Sequence, residues 1–381
     1  MPVTYFGTGT LKQVPEKIRS YWKKALFITG RQSFISTNHW VVLQQKCEEC
    51  GISIGHAVAD VEPTPTLIDD ITQKFIEWKP DVVVAIGGGS VVDAGKAVSA
   101  MLCLGGTIVE YLEGIGSKVP SGQKVPFIAV PTTSGTGAEA TKNAVISQIG
   151  TAGFKRSIRH NNYVPDVAVI DPELTLSCPR DVTAQSGMDA FTQLLESYLS
   201  TNASPYTDAL AVDGIRHVRN GLQIACLDGA NLKARSDMAY AAYLSGITLA
   251  NAGLGTVHGF ASSIGGYFNI PHGQICACMM SPVNRITVRK LRNTDAGHWA
   301  LYKYARIGKL FSQDKNRSDE FYTDLLLELI DRYTGEFGIK RLCQYGVQKD
   351  DFDRIVGQTG NKFNPVGLNP DELKEALELA F

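Results

Sequence analysis

Asp81-Val-Val-Val-Ala-Ile-Gly-Gly-Gly-Ser-Val-Val-Asp-Ala-Gly-Lys96 reads as a strand, a glycine turn and the start of a helix. The unbroken β-branched run before the glycines is the pattern of a strand buried on both faces. Glycines let backbone N–H groups approach an anion, and the helix that follows adds the positive end of its dipole. Ser90 can cap that helix and donate to a phosphate. The pattern is neither GxGxxG nor a Walker loop, because Lys96 lies within the helix and no Ser or Thr follows it directly. Three consecutive glycines exceed what a bare strand-to-helix turn needs, so the stretch points to a dinucleotide pyrophosphate.

The surroundings repeat the theme. Ala25–Thr29 is a short apolar run ending at Gly30, residues 38–50 have helical spacing, and Ile52–Val58 reads as another strand. Pro63-Thr-Pro65 breaks the chain before a helical pattern from Thr66 to Lys79. Phe127–Val130 and Val167–Ile170 resemble the run at 82–86. Strands alternating with helices predict βαβ units and a mostly parallel sheet. Pro131-Thr-Thr-Ser-Gly-Thr-Gly-Ala-Glu139 follows one of these strands and is rich in hydroxyls and glycines. Ligands of open α/β sheets bind where such loops leave the carboxyl ends of strands. Beyond Asp171-Pro172 the texture changes to long helical patterns at 183–200, 204–219, 230–250, 256–268, 298–312 and 318–337, with a last helix from Pro370. The expected division is an α/β dinucleotide-binding domain over 1–178 and an all-helical domain over 179–381. Arg285–Asn293 reads as a solvated or salt-bridged basic face.

Bulk properties narrow the function. A chain of 381 residues can bury two cores, and 44% hydrophobic with 20% charged residues is ordinary for a globular protein. A net charge of -1 argues against a nucleic-acid or polyanion binder. No signal peptide is visible at Met1-Pro-Val-Thr-Tyr-Phe6, and no apolar run has the length of a bilayer. Eight cysteines in a chain this long do not make a disulfide scaffold. Cys47-Glu-Glu-Cys50 has no second pair at zinc-ribbon distance and reads as two thiols at a helix end. Cys276 and Cys278 read as small apolar filling. A cytoplasmic protein acting on a small molecule, without nucleic-acid or membrane partners, is expected.

The helical half contains one unusual stretch, Gly255-Thr-Val-His-Gly-Phe-Ala-Ser-Ser-Ile-Gly-Gly-Tyr-Phe-Asn-Ile-Pro-His-Gly273. Its two histidines, His258 and His272, sit among small and apolar residues with no charged neighbour. Imidazole is the commonest metal ligand, although isolated histidines are more often core or surface residues. Upstream, Asp189 and Gln193 are four apart and share a helix face. A carboxylate in so apolar a segment needs a partner or a metal.

The ordered set GGGS-x-x-D-x-x-K, PTTSGTGAE, a Gly-x-Asp-Ala helix, VHG and PHG resembles the iron-containing alcohol dehydrogenase family, of dehydroquinate synthase-like fold. The motifs run from about Lys24 to Asn284. The resemblance implies a nicotinamide dinucleotide held at Gly88, Gly89, Ser90, Asp93, Thr132 and Thr133, with further contacts at Thr141 and Lys155. It also implies a divalent metal, Fe2+ or Zn2+. Asp189, His258 and His272 match three of the family's four ligands and carry the catalytic role. Gln193 replaces a histidine as the fourth. Gln193 then either coordinates through its amide oxygen, leaves three protein ligands plus water, or marks a site without metal. Ser262 stands where many members have a further histidine. Many NAD-using members carry Asp at the position of Gly30. Its absence, with Arg31 and Ser33 next to it, predicts NADP, with NAD the alternative. Thr64 replaces a frequent Asn. Thr133 and Lys155 are expected beside the nicotinamide ribose, and Phe154, Phe260 and Phe268 in the pocket wall or the core.

The implied reaction is hydride transfer between an alcohol or aldehyde and the nicotinamide, with the metal as Lewis acid. The alternatives are a metal-independent reductase resembling maleylacetate reductases and a lyase resembling dehydroquinate synthase, which needs basic residues not visible over 183–273. A non-catalytic binding protein fits poorly with two intact glycine loops and three ligand positions. A homodimer through an edge strand at Val3–Phe6 is also expected.

Overall fold

The computed structural model describes residues 1–59, 62–294 and 297–381. The amino-terminal half runs β1 (Val3–Phe6), α1 (Gln13–Tyr21), β2 (Lys24–Thr29), α2 (Asn38–Glu49), β3 (Ser53–Val58), α3 (Pro65–Ile76), β4 (Val82–Gly87), α4 (Gly89–Leu104), β5 (Phe127–Pro131), β6 (Asn143–Gln148), β7 (Phe154–Arg159) and β8 (Val167–Ile170). The carboxyl-terminal half is helical: α5 (Arg180–Leu199), α6 (Pro205–Leu227), α7 (Leu232–Ala252), α8 (Thr256–Tyr267), α9 (His272–Arg292), α10 (His298–Phe311), α11 (Asp319–Glu336), α12 (Phe352–Gln358) and α13 (Pro370–Ala380).

Six strands form one sheet in the order β1-β8-β5-β4-β2-β3, and every pairing in it is parallel. Alternate residues of one strand feed two different cores. Val83 and Ala85 pack with Ile68, Val92 and Met101 on one face, whereas Val82, Val84 and Ile86 pack with Val14, Ile18, Trp40 and Leu43 on the other. That two-sided burial explains the continuous β-branched run, since neither face of β4 meets water. The glycine turn is as tight as the sequence implies. A Cβ at Gly87 would lie 2.5 Å from that of Val91, and one at Gly95 would lie 2.6 Å from that of Ala85, so α4 rests directly on β4.

β6 and β7 form a separate antiparallel hairpin that the strand patterns did not reveal. The helical half is built around α5, whose residues from Met188 to Leu199 are all buried. It packs against α6, α7 and α9. Among the described residues no helix is long and apolar enough to cross a membrane.

α9 is the main difference from expectation. Gly273 near its start and Pro282 inside it both oppose helix formation. Burial outweighs them, because most of the helix from Gln274 to Leu291 is enclosed by neighbours. Its basic end is a salt-bridged face. Arg285 pairs with Asp331, Arg289 with Glu375, Lys290 with Glu372 and Arg292 with Asp324. All eight cysteines are free thiols, and Cys47 lies buried near the end of α2 beside Cys50.

Candidate active site

Three helices meet at one point. α5 contributes Asp189, Gln193 and Glu196, α8 contributes His258 in its first turn, and α9 contributes His272 as its first residue and Cys276 one turn later. One donor atom from each of Asp189, His258, His272 and Cys276 lies within 4.8 Å of all the others. Asp189 Oδ1 is 3.3 Å from His258 Nε2 and 3.7 Å from His272 Nε2. Cys276 Sγ is 3.7 Å from each Nε2. The sequence assigned Cys276 to apolar filling. It is fully buried, but its sulfur faces two imidazoles and a carboxylate.

Glu196 sets the tautomer of His258. Its Oε1 accepts the Val257 backbone N–H at 2.7 Å, and its Oε2 lies 2.7 Å from His258 Nδ1. A carboxylate at that distance accepts a hydrogen bond from Nδ1–H, so Nε2 is the nitrogen aimed into the cluster, free to take a proton or a metal. Asp189 Oδ1, 1% exposed as a residue, has no hydrogen-bond partner among the described residues. Two lone pairs 3.3 Å apart repel unless a proton or a cation lies between them. The donor set therefore fits a divalent metal: one carboxylate, two imidazoles and a sulfur, with an orphaned buried oxygen among them.

With no ion in the gap, the electrostatics put a proton there, between His258 Nε2 and Asp189 Oδ1. Burial pushes the Asp189 carboxyl up, but the imidazoles of His272 and His258 outweigh it and hold it below the usual range. Burial likewise opposes charging His258, while the Cys276 sulfur and the carboxylates of Asp189 and Glu196 raise it well above the ordinary value. His272 is pulled down to about 4, by burial first. Gln193 is engaged on both sides. Its Nε2 lies 3.5 Å from Asp189 Oδ2, and its Oε1 is 3.0 Å from the Ser245 hydroxyl.

A cleft of about 510 Å³ lies over this cluster, between the glycine turn and the helices. Of the residues singled out from sequence, it is lined by Gly89, Ser90, Asp93, Thr141, Lys155, Gln193, His258, Ser262 and His272. Gly30, Arg31, Gly88, Thr132 and Thr133 do not line it. They stand at the carboxyl ends of β2, β4 and β5, where a Cβ on Gly88 would touch Thr133 at 3.4 Å and one on Gly30 would approach Val91 of α4 at 3.9 Å. Phe154, Phe260 and Phe268 do not line it either, and Phe260 belongs to a buried core.

Two lysines have distinct tasks. Lys96, buried in α4, donates to Ala138 O at 2.8 Å, Thr141 Oγ1 at 2.8 Å and Asn143 O at 2.7 Å. It thus clamps the hydroxyl-rich loop onto α4, and burial lowers its pKa to about 8. Lys155 on β7 reaches the cleft and pairs with Glu62 at 2.6 Å. Burial tends to raise the Glu62 carboxyl, but the charge of Lys155 and their hydrogen bond carry it below the usual range. Burial pushes Asp93 up to about 6, and it accepts the Val145 N–H. Glu62, Glu196, Arg156, Lys362 and Phe363 belong to the site or its support and were not anticipated. Only Glu196 carried a usable signal, seven residues after Asp189 and hence on the same face of α5.

Comparison with known proteins assigns the chain a family. The family model described as iron-containing alcohol dehydrogenase matches residues 2–172, and that for the C-terminal region of the Fe-containing alcohol dehydrogenase family matches 183–380. The chain is 33% identical to the 1,3-propanediol dehydrogenase of Citrobacter freundii, over all of its own length and 97% of that protein. It is 30% identical to the NADPH-dependent butanol dehydrogenase of Clostridium saccharobutylicum, covering 99% of this chain and 96% of the other. A crystal structure of a 1,3-propanediol oxidoreductase superposes with a TM-score of 0.87 at 30% identity, covering 100% of this chain and 98% of that one. The two family models span residues 2–172 and 183–380 and these relatives match nearly the whole length, so the chain belongs to the iron-containing alcohol dehydrogenase family.

Proposed function

We propose that this NAD(P)-dependent alcohol dehydrogenase interconverts a small alcohol and its aldehyde with NADP as its preferred carrier, and that Asp189, His258 and His272 hold a divalent ion. The convergence of the buried Asp189 Oδ1 with His258 Nε2 at 3.3 Å and His272 Nε2 at 3.7 Å is the observation that carries the metal assignment. Bound there, the ion supplies Lewis acidity at the alcohol or carbonyl oxygen, while the nicotinamide takes or gives the hydride.

The chain's own residues position and exclude. Glu196 retains the proton at His258 Nδ1 and keeps Nε2 turned inward. The turn at Gly88–Ser90, at the amino end of α4, receives the pyrophosphate with backbone N–H groups. Thr132 and Thr133 flank that turn, and Thr141, Asp93 and Lys155 border the nicotinamide side. The Lys155–Glu62 pair keeps a cation at the wall without leaving it unbalanced. Ser262, in the place of a relay histidine, donates to the His258 carbonyl at 3.0 Å, so proton exchange at the substrate oxygen falls to water in the open cleft.

NADP is supported by Gly30 at the end of β2, where no carboxylate is present to accept from a ribose 2′-OH, and by Arg31 beside it. The division near Cys178, between a nucleotide-binding domain over residues 1–178 and a helical domain over 179–381, belongs to the same proposal. So do a cytoplasmic location and a homodimer. The dimer is supported by β1, an edge strand on which Val3 is 60% and Phe6 42% exposed. Metal analysis combined with NADPH- and NADH-linked assays on an aldehyde panel tests the whole. Metal at purification, activity lost on chelation and a lower KM for NADPH are expected. Turnover unaffected by chelation in a metal-free protein would replace this mechanism with that of a metal-independent reductase, a reading favoured by the engagement of Gln193 with Ser245.

A further inference from the structure

We propose that Cys276 supplies the fourth protein donor of the metal centre as a thiolate, and that the carboxylate, two imidazoles and sulfur together take Zn2+ in preference to Fe2+. The inference rests on the metal site proposed above and specifies it.

The geometry comes from two helices. Asp189 and Gln193 are four apart on α5, and His272 and Cys276 are four apart on α9, so each pair presents one face to the cluster. A fourth donor can come from either helix. On α5 the amide oxygen of Gln193 accepts from Ser245 and its nitrogen faces Asp189. On α9 the sulfur already faces both imidazoles. Four of the six edges come close to those of a shared centre, and all six lie within 4.8 Å. Zinc bonds of about 2.3 Å to sulfur and about 2.0–2.2 Å to nitrogen and oxygen give tetrahedral edges of about 3.3–3.6 Å. The observed edges are 3.3 Å for Asp189 to His258 and 3.7 Å for Asp189 to His272. The two sulfur edges are 3.7 Å each.

The buried Asp189 oxygen calls for a cation or a proton in this cluster, and the Cys276 sulfur lies within the same 4.8 Å set of donor atoms. On binding, the Sγ proton leaves to solvent and the sulfur–metal bond forms, with no change of oxidation state. A thiolate is a soft donor, and a tetrahedral set of nitrogen, oxygen and sulfur suits Zn2+.

The full-length protein, stripped and reconstituted with Co2+, gives a readout independent of turnover. A near-ultraviolet sulfur-to-cobalt charge-transfer band is expected in the wild type and in Gln193→Ala, and is expected to vanish in Cys276→Ser and Cys276→Ala. Chelator competition is expected to show Zn2+ affinity lowered about a hundredfold or more in Cys276→Ser and less than about tenfold in Gln193→Ala, since even an outer-shell partner is worth about 10–100-fold. Zinc-edge X-ray absorption on the unaltered protein removes any dependence on how the variants fold, and one sulfur scatterer at about 2.3 Å is expected. Stoichiometric metal with no sulfur scatterer and no band overturns the role of Cys276 while leaving the metal centre standing. Failure of the wild type to bind either ion overturns both.

Discussion

Replacing Glu196 by Gln tests the metal centre without touching a metal ligand. The carboxylate accepts two N–H groups at once, from the Val257 backbone and from His258 Nδ1, each at 2.7 Å. An amide has one oxygen and cannot repeat this. If its oxygen stays on Val257, its NH2 faces Nδ1 and drives the imidazole proton to Nε2, toward Asp189 and into the metal position. If the amide turns over, His258 keeps its tautomer but the NH2 collides with the Val257 N–H, one of the otherwise unpaired donors at the start of α8. Either arrangement forfeits a charge-assisted hydrogen bond of a buried carboxylate, 6% exposed. Orienting partners of this kind are worth about 10–100-fold in metal affinity, or about 1.4–2.7 kcal/mol. Competition with a zinc chelator measures the loss directly. The melting temperature, taken with and without added Zn2+, is expected to show a smaller metal-dependent rise in the variant. Zinc affinity within twofold of wild type would refute the assignment of Nε2 as the inward lone pair.

Other expectations concern the nucleotide half and its support. Lys96→Met leaves Ala138 O, Thr141 Oγ1 and Asn143 O without their buried donor. It should cost about 3 kcal/mol in a urea titration and weaken NADPH binding, and a loss below about 1 kcal/mol would show that the clamp is dispensable. Burial pushes the Glu139 carboxyl up to about 7 from its ordinary 4.5. A group with a raised folded pKa contributes stability below its unfolded value and loses it as pH rises through the folded one. Glu139→Gln should therefore match wild type near pH 4.5 and exceed it increasingly up to pH 7, by at most about 3 kcal/mol. A pH-independent gap would contradict this. Gly30→Asp should shift the ratio of kcat/KM for NADPH over NADH toward NADH by about tenfold or more, since a carboxylate there accepts from a ribose 2′-OH and repels a 2′-phosphate. An unchanged ratio would place the 2′ group elsewhere.

The α/β half was legible because its signals are local. β4 is buried on both faces, so composition alone marks it, and the glycines after it are required by contacts of 2.5–2.6 Å with Val91, Thr136 and Ala85. The hairpin of β6 and β7 was not legible. Lys155, Arg156, Ser157 and Arg159 break the apolar alternation because they face the cleft or its rim. α9 was missed because propensity argues against Gly273 and Pro282, while its stability comes from burial that no window of sequence records. The same limit hid Cys276. Its nearness to His272 is readable as one helical turn, but only if 272–292 is known to be helical. Its nearness to His258 and Asp189 arises where three helices converge, and nothing local encodes that.

Gln193 takes on a different meaning once the sulfur is placed. Its amide oxygen is 3.0 Å from Ser245 Oγ, which also lies 3.3 Å from Gly135 O in the hydroxyl-rich loop after β5. Beside it the backbones touch, because a Cβ on Gly246 of α7 would stand 2.1 Å from Gly137 O. The same loop presses on the glycine turn, where a Cβ on Gly89 would meet Thr136 Oγ1 at 2.6 Å. Ser245 Oγ also has Ala242 O at 2.8 Å, and its single proton serves one of these oxygens at a time. The buried contacts from the nucleotide turn through Gly135, Ser245 and Gln193 to Asp189 Oδ2 are therefore a packed path rather than a continuous hydrogen-bond chain. A donor taken from α9 leaves the Gln193 amide free to bridge in both directions, as donor to the carboxylate and acceptor from the hydroxyl. Hydride transfer tolerates little error in the separation of nicotinamide and substrate oxygen. If Cys276 is the fourth donor, Gln193 serves on α5 as a strut between the two halves of the site rather than as a ligand.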